Sequence, residues 1–155
     1  MDFIIETGQK KHLPEVLELV KDLAEFEKAP LSVTNSVERM NEEYDFFEFF
    51  VATLEEKVIG IAIYFFSYST WVGKSLYLDD LYVEPEFRGN GIASELMDNI
   101  FKAAFTANCH RVRWQVLDWN TNAIDIYNKL GADLDGEWIN CDFSEAQIKE
   151  LANKA

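Results

Sequence analysis

The stretch Y-L-D-D-L-Y-V-E-P-E-F-R-G-N-G-I-A, from Tyr77 to Ala93, joins a predicted strand to a predicted helix through two closely spaced glycines. Within it, Arg88 to Ala93 read Arg-x-x-Gly-x-Ala. Small residues at such a junction let a diphosphate approach free backbone N–H groups, and the start of a helix favours negative charge. The junction predicts a diphosphate site, and the alternative is a plain turn that packs helix on strand.

Two other phosphate-binding patterns fit the glycines less well. A Walker A loop is excluded because no Lys-Ser or Lys-Thr pair follows them. A dinucleotide fingerprint would need a third glycine where Ser94 stands. The acidic residue that such a fingerprint needs at the end of the next strand would be Asp118. Only 37 residues follow Asp118, and these are too few for the rest of a doubly wound sheet.

The rest of the chain predicts one mixed α/β domain over residues 1–155, because helices and antiparallel strands precede a β-α-β-α-β order. The predicted helices are residues 13–29, 36–44, 91–108 and 120–130, and a short one after Ser144. The predicted strands are residues 3–5, 47–52, 58–68, 75–83, 111–117 and 138–143.

Composition and charge argue against several classes of protein, namely nucleic-acid-binding, membrane-spanning, secreted and disulfide-rich proteins. The 155 residues carry a net charge of −14, so nucleic acid is an improbable partner. No apolar run is long enough to span a membrane, and the first residues lack the pattern of a signal peptide. The two cysteines do not make a disulfide framework. These features predict a cytoplasmic protein.

Several stretches together resemble the GNAT superfamily of N-acetyltransferases. Residues 77–93 resemble its central strand and acetyl-CoA pyrophosphate loop, and V-L-D-W-N-T-N-A-I-D-I-Y-N-K-L-G-A, residues 116–132, resembles its next strand and helix. Residues 65–74, 118–120 and 26–27 are similar to the diamine (spermidine/spermine) acetyltransferases and their thialysine-acetylating relatives. The resemblance implies a mixed central sheet flanked by helices, with parallel strands splayed at the cofactor site.

The resemblance also implies an activity. It predicts direct acetyl transfer from acetyl-CoA to a primary amine of a small cationic substrate, in a homodimer and without a metal ion. An amino-acid or peptide N-acetyltransferase is the alternative enzyme, and a non-catalytic acetyl-CoA-binding module is the alternative outside enzymes. A covalent acetyl-cysteine is not expected, since neither Cys109 nor Cys141 sits in an activating motif.

The resemblance assigns residues to the cofactor. Pantetheine is expected to run beside the strand from Leu81 to Val83, where a backbone N–H can polarise the thioester carbonyl. The predicted cofactor-binding residues are Leu81, Val83, Arg88, Gly89, Asn90, Gly91, Ile92, Ala93, Ser94, Asn120 and Tyr127.

Two residues are predicted to be catalytic. Tyr127 matches the tyrosine that such enzymes carry beside the CoA sulfur, and a phenol is protonated at neutral pH. Asp79 matches an acidic residue of the family and is expected either to accept the amine proton through water or to bind the substrate cation. Asp79 and Asp80 are adjacent on a strand and are expected to face opposite sides, with Asp80 a structural acid.

Four residues are predicted to bind the substrate: Glu27, Trp71, Asp79 and Trp138. Carboxylates and aromatic faces suit an ammonium chain. Diamine acetyltransferases carry an acid where Ser69 stands, and a tyrosine where Phe26 stands. The loss of a carboxylate favours a shorter diamine or a lysine-like amine over long polyamines.

Overall fold

A computed structural model describes residues 1–154, and the chain divides between Gln115 and Val116 into two compact units. The strands of the first unit are β1 (Ile4–Thr7), β2 (Glu48–Leu54), β3 (Lys57–Ser69), β4 (Gly73–Val83) and β5 (Arg111–Arg113). Its helices are α1 (Leu13–Phe26), α2 (Val37–Glu42) and α3 (Ile92–Thr106). The second unit holds α4 (Thr121–Lys129) and α5 (Glu145–Ala152).

The strands form one sheet in the order β1-β2-β3-β4-β5. Neighbours from β1 to β4 are antiparallel, and β5 joins β4 in parallel. The predicted mixed α/β class is thereby confirmed.

Helices cover both faces of this sheet. On β3, Ile61 packs in the core under α1, and its neighbour Ala62 packs in the core under α3. Because successive strand residues point to opposite faces, α1 and α3 lie on opposite sides of the sheet. The buried side chains of α1 are Leu13, Val16, Leu17 and Leu19, and those of α3 are Ile92, Leu96, Met97, Ile100 and Ala104.

A β-bulge interrupts β4 at Asp79. Leu78 pairs with Tyr64 and Asp80 pairs with Ile63, so Asp79 has no counterpart on β3. An extra residue reverses the alternation of side chains along the strand. Leu76 and Leu78 before the bulge, and Val83 after it, therefore pack in the same core under α3.

The bulge also explains why β5 is shorter than the predicted strand 111–117. The parallel pairing runs from Ser75 with Arg111 to Tyr77 with Arg113, and it stops just before the bulge. Bulges bend a strand and end its pairing on the neighbouring edge. Beyond Tyr77, β4 has no pairing partner on that side among the described residues.

The second unit has well-capped helices. The Oδ1 atom of Asn120 accepts a hydrogen bond from the N–H of Ala123 and caps α4, and Gly131 follows the helix with a φ of 88°. Ser144 and Gln147 form a capping box at α5.

The predicted strand 138–143 is wrong, since these residues lie outside regular structure. Local hydrogen bonds occupy its start: the Oδ1 atom of Asp135 accepts from the N–H of Glu137, and its Oδ2 atom accepts from Nε1 of Trp138. Side chains of this kind compete with a β-ladder for backbone groups.

No helix within residues 1–154 is both long and apolar enough to cross a membrane.

Candidate active site

The first unit contains an acidic cavity of about 340 Å³ on the α1 face of the sheet. Asp79 and Asp80 line it from β4, and Glu43 lines it from the end of α2. The expectation that Asp79 and Asp80 face opposite sides is wrong. The bulge removes the alternation at this point, so both carboxylates reach the same cavity.

The carboxylates near this cavity interact electrostatically. Burial, followed by the negative charges of Asp79 and Glu27, raises the pKa of Asp80 to about 7. Burial raises the pKa of Asp79, although that residue is partly open to solvent. Burial and then Asp79 raise the pKa of Glu27. Concentrated negative charge of this kind favours a bound cation, and a carboxyl that titrates near neutral pH can accept a proton.

Asp80 is thus more than the structural acid that the sequence suggested. Among the described residues it has no hydrogen bond or ion pair that would hold its carboxylate in a structural role. Its position on the cavity wall leaves it available to a ligand. Asp79 and Asp80 therefore form one acidic pair.

A second cavity, of about 230 Å³, lies where β4 passes into α3. Gly89 and Gly91 have φ values of 81° and 82°, a conformation that favours glycine. A Cβ built on either one would meet no heavy atom within 4 Å. The space beside both glycines is therefore open to a ligand. The lining residues are Val83, Phe87, Arg88, Gly89, Gly91, Ile92, Ala93 and Ser94.

This glycine cavity has the features of an anion site. Gly91 is the N-cap of α3, and no side chain caps the helix there. The first N–H groups of α3 are therefore open to an anion, which the helix dipole also attracts. Asn90 does not line the cavity. Its Nδ2 donates to the carbonyl oxygen of Phe87 at 2.9 Å, so its side chain shapes the loop.

Arg88 ties the loop to the sheet. Its Nε donates a hydrogen bond of 2.9 Å to the carbonyl oxygen of Val83. Its guanidinium carbon lies 5.3 Å from the ring centroid of Tyr82 and 5.8 Å from that of Phe26. One donor is thus used inside the protein, and the role of Arg88 toward the diphosphate stays a prediction.

The two cavities lie along the same strand. Asp80 lines the acidic cavity and Val83 lines the glycine cavity, three residues further along β4, or about 10 Å at the rise of a strand. The edge of β4 facing β5 is unpaired beyond Tyr77 in the part of the chain described. That edge, which includes Leu81, offers backbone groups to an extended ligand.

Two predicted substrate residues of the first unit, Glu27 and Trp71, do not line the acidic cavity. Trp71 lies at the tip of the β3–β4 hairpin and is 83% exposed. Its backbone N–H donates to Oγ of Ser69 at 3.2 Å, so Ser69 shapes the turn. Neither residue lines the cavity.

The second unit carries three predicted site residues. Tyr127 lies on α4, and burial raises the pKa of its phenol, which therefore keeps its proton at neutral pH. Asn120 caps the same helix. Trp138 is exposed and donates from Nε1 to Oδ2 of Asp135 at 2.7 Å. Their roles stay predictions.

Sequence reasoning missed Glu43, and it missed that Asp80 lines the cavity. A signal for Asp80 was present, because the apolar alternation Leu76-x-Leu78 changes phase to Leu81-x-Val83, which is typical of a bulge. Glu43 gave no such signal in a run of charged residues.

Comparison with known proteins identifies the class. Residues 13–132 match the model of the acetyltransferase (GNAT) family. The chain is 38% identical over 166 residues to a thialysine N-epsilon-acetyltransferase of Bos taurus, covering 97% of this chain and 98% of that protein. It is 29% identical to a human spermidine/spermine N(1)-acetyltransferase-like protein, covering 97% of this chain and 24% of that protein.

Solved structures show the same fold. An integron cassette protein from V. cholerae matches with a TM-score of 0.78 and 24% identity, covering 99% of each chain. An aminoglycoside acetyltransferase, AAC(6')-Iy, in complex with a CoA-based bisubstrate analogue, matches with a TM-score of 0.75 and 20% identity, covering 93% of this chain and 99% of that one.

The protein belongs to the acetyltransferase (GNAT) family. It is therefore an N-acetyltransferase, and the two relatives are named for acetylation of thialysine and of spermidine or spermine. The resemblance seen in the sequence, the fold class and the enzymatic nature of the chain are thereby confirmed.

Proposed function

We propose that this enzyme transfers an acetyl group from acetyl-CoA directly to a primary amine of a small cationic molecule. The observation that carries the proposal is the placement of the acidic cavity and the glycine cavity along β4, three residues apart. A cationic acceptor and an anionic cofactor could thus be held beside one strand. The relatives named for acetylation of thialysine and of spermidine or spermine support this substrate class.

The glycine cavity is the proposed diphosphate site. The N–H groups at the start of α3 would bind the diphosphate, and the open edge of β4 at Leu81 and Val83 would bind the pantetheine. When bound, acetyl-CoA supplies the acetyl group as a thioester. Asn90 acts indirectly by fixing the loop through Phe87.

The acidic pair is the proposed site of amine deprotonation. An alkylammonium with a pKa of about 10.4 is almost wholly charged at neutral pH and cannot attack a carbonyl until it loses a proton. Asp79 and Asp80 would bind the ammonium group, and one of them would accept the proton, directly or through water. Asp80 titrates near neutral pH and is suited to that task. Glu27 adds negative charge from the end of α1.

Tyr127 is the proposed general acid. Its phenol oxygen would hold a proton for the leaving thiolate, and burial keeps that proton in place. This role requires residues 1–155 to act as one domain. The family match supports that arrangement because it runs from residue 13 to residue 132 across both units.

A homodimer and a cytoplasmic location are also part of the proposal. The segment around Trp138 supports the dimer, because Trp138 and Ile139 are 71% and 87% exposed. Sedimentation equilibrium should give twice the chain mass at micromolar concentration, and a fully active monomer would contradict the dimer. The two free cysteines, Cys109 and Cys141, suit a reducing compartment.

The test is thiol release from acetyl-CoA in the presence of diamines, lysine-like amino acids and a peptide with a free N-terminus. Release with the small cationic amines, and not with the peptide, supports the proposal. Binding of acetyl-CoA by calorimetry without release on any amine would show a non-catalytic binding module. Preference for the peptide would show a peptide N-acetyltransferase.

A further inference from the structure

The acidic cavity has negative groups at two separate places. Asp79 and Asp80 stand on β4, whereas Glu43 enters from the end of α2, which follows α1 in the chain. Ile63, the β3 partner of Asp80, also lines the cavity, and so does Phe47, four residues after Glu43. The negative groups therefore come from two different elements of the first unit.

Apolar side chains form much of the remaining wall. They are Leu17, Val20, Met40, Phe46, Phe47, Ile63 and Phe65, and Asn35 adds an uncharged polar group. Apolar walls between two acidic groups suit an aliphatic chain with a cationic group at each end. The volume of about 340 Å³ lies in the range of small-molecule sites.

Basic side chains are absent from the described lining of this cavity. A ligand carboxylate placed there would lose water without gaining a cationic partner, and Glu43, Asp79 and Asp80 would repel it. An amino acid such as lysine or thialysine carries a carboxylate of this kind, whereas an aliphatic diamine does not.

We propose that the acceptor is a short aliphatic diamine without a carboxylate, and that Glu43 is a specificity-determining residue that binds the ammonium group which is not acetylated. The proposal rests on the proposed acetyl transfer and narrows its substrate. It departs from the amino-acid substrate in the name of the bovine relative.

Arg39 is the cation that the structure places near Glu43. Its Nε lies 4.0 Å from Oε1 of Glu43, four residues away on α2, and both side chains are about half exposed. Ion pairs of this kind are weak. Arg39 does not line the cavity, so within the described lining Glu43 has no cationic neighbour that would compete with a ligand ammonium group.

Three matched amines test the proposal with acetyl-CoA saturating. Pentane-1,5-diamine is lysine without its carboxylate, and pentylamine is the same chain without the second ammonium group. We expect kcat/KM for the diamine to exceed the values for both lysine and pentylamine by about tenfold or more, because a partly exposed carboxylate–ammonium contact is worth several-fold and a buried unpaired carboxylate costs more. Lysine used as well as the diamine would overturn the proposal.

Two variants test whether Glu43 is the residue that binds the second ammonium group. Glu43→Gln should lower kcat/KM for the diamine by about five- to tenfold and change the value for pentylamine much less. Glu42→Gln, a neighbouring exposed acid outside the cavity, is the matched control and should leave both values unchanged. An equal loss on diamine and pentylamine would show that Glu43 is structural and would overturn its role.

The variant Arg39→Gln distinguishes the proposal from a competing explanation, in which Arg39 binds the carboxylate of an amino-acid substrate. The proposal expects diamine turnover to stay the same or rise, since Glu43 loses a competing cation. A fall in lysine turnover in this variant, with lysine a good substrate of the wild type, would show that Arg39 binds a substrate carboxylate and would overturn the proposal while acetyl transfer stands. Absence of thiol release with every amine would instead overturn the proposed acetyl transfer itself.

Discussion

Arg88 and Val83 are joined by a hydrogen bond that closes the loop between β4 and α3. Nε of Arg88 donates to the backbone carbonyl oxygen of Val83 over 2.9 Å, and the guanidinium also lies over the rings of Tyr82 and Phe26. Arg88, which the sequence predicted to bind the diphosphate, therefore holds the glycine loop against the sheet in the structure.

Replacing Arg88 should loosen this loop. Arg88→Gln is expected to lower the melting temperature by a few degrees, because a hydrogen bond and two cation–π contacts together are worth about 1–2 kcal/mol. Affinity for acetyl-CoA should fall as well. Arg88→Lys keeps the charge and loses the Nε donor. If Arg88→Lys kept wild-type stability and affinity in calorimetry, charge alone would be sufficient at this position.

Gly91→Val should abolish most acetyl-CoA binding. The side chain would enter the open space of the glycine cavity, and the left-handed backbone would add strain of about 1–2 kcal/mol. Gly131→Val is a matched control, since Gly131 has a φ of 88° and also no heavy atom near a built Cβ. Both variants should lose similar stability, and only Gly91→Val should lose affinity. If the two folded variants bound acetyl-CoA with equal affinity, the diphosphate would not bind in this cavity.

The raised pKa of Asp80 makes stability depend on pH. The folded protein holds this proton up to about pH 7, whereas an unfolded aspartate releases it near pH 3.9. The contribution to stability is therefore complete below about pH 4 and is lost as pH rises to about 7. Asp80→Asn mimics the protonated side chain. It should be more stable than the wild type at pH 8, by an amount on the order of a few kcal/mol, and not at pH 4.

Melting curves from pH 4 to pH 8 would measure this difference. Asp98→Asn, an exposed change on α3, serves as the control and should follow the wild type throughout. A constant difference between Asp80→Asn and the wild type over this range would contradict the raised pKa.

The same carboxyl should govern the pH dependence of catalysis. With acetyl-CoA saturating, kcat/KM for the amine should fall below about pH 7, because protonated Asp80 neither attracts an ammonium group nor accepts a proton. Asp80→Asn should remove this limb of the profile. Asp79→Asn should move it to lower pH, since the negative charge of Asp79 raises the pKa of Asp80. If kcat/KM still fell below about pH 7 in Asp80→Asn, another group would be responsible for the fall.

Tyr127→Phe should lower kcat by about 10²-fold and leave acetyl-CoA affinity nearly intact. Phenylalanine keeps the ring and removes only the proton-bearing hydroxyl, and general acid catalysis contributes at least this factor. Tyr44→Phe is the control for the same chemical change, because the Tyr44 hydroxyl donates only to the carbonyl oxygen of Gly8 at 3.4 Å. Wild-type kcat in a well-folded Tyr127→Phe protein would exclude Tyr127 as the proton donor.

Local patterns predicted much of the fold. The helix predicted at residues 13–29 corresponds to α1, and the short helix predicted after Ser144 corresponds to α5. These features depend on neighbours in the chain. The strand predicted at 138–143 failed because a strand needs a pairing partner, which residue type alone does not supply.

The candidate site was predicted less completely. The glycine loop follows from sequence because glycine itself permits the backbone conformation at Gly89 and Gly91. The acidic cavity does not, since it depends on the pairing of β3 with β4 and on the position of α2. Asp80 was therefore assigned to the wrong face, and Glu43 was missed.

The bulge at Asp79 also separates what β4 contributes to the core from what it contributes to the site. Deleting one residue there would restore simple alternation, with Leu78 still paired to Tyr64 and Asp80 still paired to Ile63. Leu78 and Val83 would keep their places in the core under α3, and Tyr82 would keep its place in the core under α1. The core would therefore survive the deletion, and the acidic cavity would lose one of its two adjacent carboxylates. A related chain that is one residue shorter between Leu78 and Val83 should accordingly keep the sheet and lack the acidic pair.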